Sequence, residues 1–121
     1  MHSAQVDAEG IWSFLGTSLR HLAQSAGEQL EWIGPASIDE LALDFDAVYP
    51  AAWPCRDAGW ISEELDSTLG YIDRKLMSLT DDGPLAWTQE ALRSHPHWEE
   101  IRGLASHALA HMPVEPWNNS R

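Results

Sequence analysis

The sequence predicts an all-α fold, a single compact domain of four to five helices packed as an irregular bundle. Three observations carry that prediction. Apolar residues recur at spacings of three and four along the longest patterned stretches. Residues suited to helix capping stand immediately before several of these stretches. Gly-Pro and Pro-containing breaks separate them at short intervals. A chain of 121 residues suits one domain and needs no disulfide or metal to fold.

The first helix is expected over Asp7–Ala26, with Trp12, Leu15, Leu19, Leu22 and Ala26 on one face. Gly16 weakens it locally and Gly27 marks its end. The next run, EQLEWI from Glu28 to Ile33, is too short for periodicity to decide, and Gly34-Pro35 breaks the chain. SIDELALDFDAVYP, Ser37 to Pro50, fits two periods. As a strand it aligns Leu41, Leu43, Phe45, Ala47 and Tyr49; as a helix it aligns Ile38, Leu41, Ala42, Phe45 and Val48. The boundary residues favour a helix over Ile38–Tyr49. Ser37 stands three before Glu40, the spacing of a capping box, and Asp39 and Glu40 suit the positive end of a helix. Pro50 and Pro54 then mark a loop through Gly59.

The clearest helix is Ser62 to Leu79, with Ser62 as N-cap, Glu63 and Glu64 in the first turn, and a stripe of Leu65, Leu69, Ile72, Leu76 and Leu79. Gly70 leaves room for a neighbour, and Asp81-Asp82-Gly83-Pro84 forms a turn. Thr88 caps a short helix to Arg93. Pro96 opens the last helix, whose apolar face is Trp98, Ile101, Leu104, Ala105, Ala108, Leu109 and Met112. Pro113 stops it, and the tail over residues 113–121 is expected to be loose.

The net charge is −12, and residues Glu28–Asp66 hold most of it: ten acids there face only Arg56. Such a field repels nucleic-acid phosphates and anionic membranes and speeds encounter with a basic partner. Neither nucleic acid nor membrane is therefore an expected partner. No basic-apolar leader opens the chain and no run of about 18 apolar residues crosses it, so a cytoplasmic location is expected. Lone Cys55 excludes an intrachain disulfide and four-Cys zinc sites.

Catalytic motifs are sparse. No GxSxG elbow, GxGxxG or GxxxxGK[ST] motif occurs, so no catalytic residue is assigned and no cofactor is expected. His107 and His111 lie four apart on a helix, with Glu100 one heptad earlier and His95 and His97 just before it. The HxxxH spacing alone assigns no metal, because the residue after His107 is Ala108 and not the Glu of HExxH; the two histidines are weak candidates. In a helix Asp44 and Asp46 diverge by roughly 200° and cannot chelate one ion. Cys55 has Arg56 beside it, which lowers a thiol pKa, but no pattern supplies an oriented base.

Three blocks, DELALDFD (Asp39–Asp46), GWISEE (Gly59–Glu64) and AWTQEALRSHPHWEEIRGLASHAL (Ala86–Leu109), together resemble small acidic bacterial immunity proteins of polymorphic or contact-dependent toxin systems. The resemblance spans residues 37–110 and leaves the N-terminal helix outside. It implies a binding protein that covers the basic cleft of a cognate toxin with carboxylates and performs no chemistry. On the acidic distribution, the expected partner surface is Asp39, Glu40, Asp44, Asp46, Glu63, Glu64 and Asp66; Trp53 and Trp60 beside it could serve as aromatic anchors, although a place in the core is the stronger expectation for both. Two alternatives remain open at this point: a helical regulator or adaptor acting through apolar helix faces, and a small metal-dependent enzyme using His107, His111 and nearby acids. The oligomeric state is open.

Overall fold

The computed structural model describes residues 2–119. Among them there is no strand, and helices run as α1 (His2–Ala23), α2 (Ala26–Ile33), α3 (Asp39–Val48), α4 (Trp53–Asp57), α5 (Glu63–Asp81), α6 (Gln89–Ser94) and α7 (Pro96–Ala110). Short 3₁₀ turns occupy Pro50–Ala52, Pro84–Trp87 and Pro116–Asn119. The all-α expectation holds, with more helical segments than the four to five expected.

The surplus comes from two places where local signals compete. The expected first helix ends at Ala23, and α2 begins three residues later. Ser25 and Glu28 form a capping box there: Ser25 Oγ accepts the N–H of Glu28, and Glu28 Oε1 accepts the N–H of Ser25 at 3.0 Å. Gly27 therefore lies inside the first turn of α2 and does not stop α1. The second surplus helix is α4, in the stretch expected to be a loop. Pro50 and Pro54 each sit at the start of a helical turn, where the missing N–H is not required.

A third correction concerns the start of α3. Ser37 Oγ accepts from Asp39 at 3.0 Å, not from Glu40, and Ile38 holds the N-cap position without a side-chain bond. The expected Ser37–Glu40 box does not form because the helix begins one residue later than the box requires. The other caps are where the sequence puts them. Ser62 Oγ accepts from Leu65 at 3.1 Å, Thr88 Oγ1 accepts from Ala91 at 3.1 Å, and Pro96 opens α7.

At the centre, α7 packs against both α1 and α5, while α3 and α4 lie on α1 and α6 lies on α7. The five residues of the α5 stripe are buried, as are Trp12, Leu15, Leu19 and Leu22 of α1 and Trp98, Ile101, Ala105 and Ala108 of α7. Fully burying one such aliphatic side chain stabilises the fold by about 1.5–3 kcal/mol before conformational entropy opposes it. The indole of Trp98 is paired inside the core: its Nε1–H donates to the Ala86 carbonyl at 2.9 Å. At the other end Trp12 Nε1–H donates to the Pro113 carbonyl at 3.0 Å, and Trp117 stands 5.5 Å from Trp60. The described part of the tail thus touches the body; residues 120 and 121 lie outside the described residues.

α5 and α7 run antiparallel. Glu64 near the start of α5 meets His107 near the end of α7, Lys75 meets Glu100 in mid-course, and Asp82 after α5 meets His95 before α7. This pairing brings the ends of two helices together at each end of the bundle.

Candidate functional site

The exposed face of α3 follows from its 100° step per residue. Ile38, Leu41, Ala42, Phe45 and Val48 point into the core. Asp39, Glu40, Leu43 and Asp46 stand exposed on the opposite side, and Asp44 is half-buried at its margin. Leu43, 54% exposed, stands amid the acids. Asp44 lies close enough to His21 of α1 for its charge to favour the imidazolium, although burial lowers the His21 pKa on balance. Asp46 lies on the other margin, toward Asp73 of α5. Burial chiefly, and then the Asp73 charge, raise its pKa above the usual carboxylate value. The two acids of the DFD stretch thus face different neighbours.

The remaining acids divide by partner. Asp66 Oδ1 accepts from Nε and Nη2 of Arg56, at 3.1 and 3.0 Å. The same guanidinium lies 5.4 Å from the centre of the Tyr49 ring. Glu64 meets His107 and His111. Asp39, Glu40, Asp44, Asp46 and Glu63 form no ion pair among the described residues. The bases that could have covered them are engaged elsewhere or stand apart. Lys75 pairs with Glu100 at 3.0 Å, Arg102 donates to Gln29, Arg74 lies over Tyr71, and Arg93 makes no ion pair among the described residues.

The two anchor candidates separate. Trp60 packs edge-on against Trp12 with ring centres 6.0 Å apart, and so belongs with the core. Trp53, in the first turn of α4, is 62% exposed.

For the histidines the structure changes the expected grouping. Glu100 does not join His107. It accepts from Lys75 and meets His97 Nδ1 at 3.3 Å, and those bonds, Lys75 foremost, hold its carboxyl below the usual range. The acid that joins His107 and His111 is Glu64, 43 positions away from His107 in the chain. Its Oε2 lies 2.9 Å from His107 Nε2 and 3.8 Å from His111 Nε2. His95 is committed as well: its Nδ1 accepts the backbone N–H of His97, so Nε2 carries the hydrogen that reaches Asp82 at 3.0 Å.

Cys55 is fully buried, and its thiol donates to the Ala8 carbonyl at 3.3 Å. Burial pushes its pKa up to about 11 and outweighs the opposing pull of Arg56. Arg56 therefore does not activate the thiol, and the residue serves the core. No helix of the described residues is long and apolar enough to cross a membrane.

Comparison of the chain with protein-family models, with curated proteins and with solved structures returns no match.

Proposed function

We propose that the chain is a binding and inhibitory protein that covers a basic protein surface with its α3 face, the role of an immunity protein against a toxin. The observation that supports this reading is the set of carboxylates left without a cation. Asp39, Glu40, Asp44, Asp46 and Glu63 have no ion-pair partner among the described residues, in a chain of net charge −12. Self-repulsion of this kind costs the folded state a little, since Glu40 and Asp44 stand four apart on one helix. A cationic partner removes that cost and supplies charge-assisted bonds, which are short and directional. Leu43 within the acidic face and Trp53 on α4 offer the apolar contacts on which interface affinity concentrates.

A basic partner is captured from host lysate at low salt, released by a salt step, and its association rate measured. Replacing Asp39, Glu40, Asp44 and Asp46 together by their amides should slow association by on the order of tenfold at low salt and flatten its salt dependence. The circular dichroism spectrum should be unchanged, because Asp39, Glu40 and Asp46 are exposed, Asp44 is only half-buried, and none of the four forms an ion pair among the described residues. Unaltered association kinetics would remove this face from the interface.

A further inference from the structure

We infer that Glu64, His107 and His111 form a surface site for one divalent ion of the zinc type, bridging the start of α5 to the end of α7. This inference is independent of the acidic-face reading, since none of the four residues replaced in that test takes part.

The ligand atoms of the three residues lie within 4.8 Å of one another. Zinc bonds of about 2.0–2.1 Å in tetrahedral array place neighbouring ligand atoms about 3.3 Å apart. The separations from Glu64 Oε2, 2.9 Å to His107 and 3.8 Å to His111, fall on either side of that value. Small rotations of exposed side chains therefore reach it. The imidazole rings are 4.5 Å apart and inclined by 43°, as two residues one helical turn apart permit.

The second argument is the tautomer of His111. Its Nδ1 lies 3.0 Å from the backbone carbonyl oxygen of His107, which can only accept. Nδ1 therefore carries the hydrogen, which leaves Nε2, directed toward Glu64, as the nitrogen that offers its lone pair in the neutral ring. A backbone carbonyl holding the second ring nitrogen is the usual support of a metal-binding histidine. A simple Glu–His ion pair accounts for His107 but gives no reason for a second imidazole, locked in the ligating tautomer, beside the same carboxylate oxygen. At His107 the ion replaces the Nε2 hydrogen, and the ring keeps its hydrogen on Nδ1.

The third argument is the field. Both histidines stand at the C-terminal end of α7, where the helix dipole favours a cation. The His95, His97 and Asp82 group lacks these properties, because the His95 lone pair on Nδ1 is already spent on the cap of α7. Two imidazoles and one carboxylate suit zinc among the abundant divalent ions and leave a position for water.

The test uses the full chain without an affinity tag, stripped with a chelator and titrated with Zn²⁺ by calorimetry. Co²⁺ serves as a spectroscopic probe of coordination. One ion per chain should bind and raise the melting temperature. Glu64→Gln, His107→Ala and His111→Ala should each weaken binding by about tenfold or more. All three positions are exposed, and circular dichroism will show whether each variant keeps its helices. Glu64→Gln is decisive, because two histidines four apart on any helix hold zinc weakly by themselves. Absence of saturable one-to-one binding, or binding that survives Glu64→Gln unchanged, overturns the inference.

Discussion

Arg102 Nη1 donates to Oε1 of Gln29 at 3.0 Å, a contact that joins α7 to α2 across 73 positions of sequence. Gln29 is fully buried, and its amide nitrogen donates to the carbonyls of His21 and Leu22, each at 3.0 Å. One side chain thus bonds two carbonyls at the end of α1, where helix ends need outside donors, that of Leu22 and that of His21, which also accepts the Gln24 N–H at 3.4 Å, and it also holds a partly buried guanidinium. Gln29→Leu should destabilise the protein by about 2–3 kcal/mol in urea unfolding, because it strands buried polar groups on both sides. Gln29→Glu separates the two contributions. It keeps the acceptor for Arg102 but loses both donated bonds, and brings a carboxylate against two carbonyls. If the α1 carbonyls dominate, it destabilises as much as Leu; near wild-type stability would mean that Arg102 is the contact that matters.

The Asp46 carboxyl gives a pH dependence. Burial and the charge of Asp73 raise its folded-state pKa above the ordinary 3.8. The folded chain then holds a proton that the unfolded chain has already released. Stability from this group therefore falls as pH rises from the unfolded value through the folded one, and stays lower at neutral pH. Asp46→Asn should raise the unfolding midpoint at pH 7 and leave it unchanged below pH 3. Exposure and solvent screening limit the gain to about 0.5 kcal/mol. Asp73→Asn should recover only the lesser part, since burial is the larger cause. Equal shifts at both pH values would show that the charge is not responsible.

These dependences rest on contacts of different legibility. Ser62, Thr88 and Pro96 mark helix starts from sequence because a cap is a local bond, closed within three residues. The box at Ser25 and Glu28 was equally local and was readable by the same rule, yet the short run after it has too little periodicity to draw attention. Ser37 shows the limit of the rule: the spacing to Glu40 is right, but the chain turns one residue late. Prolines 50 and 54 read as breakers because sequence does not distinguish a proline that ends a helix from one that begins it. The α3 acids were legible because an amphipathic helix fixes its own exposed face. Gln29 and the Glu64–His107–His111 group were not, because each depends on which helices pack together. Periodicity supplies two histidines on one side of α7, but only the antiparallel passage of α5 brings Glu64 to them and leaves Glu100 to Lys75.

Cys55 offers a direct probe of the junction between α1 and α4. Its sulfur has no exposure, its hydrogen is donated to the Ala8 carbonyl, and burial lifts its pKa to about 11. At pH 8 such a thiol is ionised about a hundredfold less than one with a pKa of 9, and the thiolate is the reactive species. Burial blocks the reagent as well. Native protein should therefore react with a disulfide reagent only as fast as α4 opens, whereas chain in urea reacts at the ordinary rate for an exposed thiol. The native rate should also be independent of reagent concentration once reagent is abundant, since opening then limits reaction. A native rate proportional to reagent and close to the unfolded one would mean that α4 does not stay seated on α1.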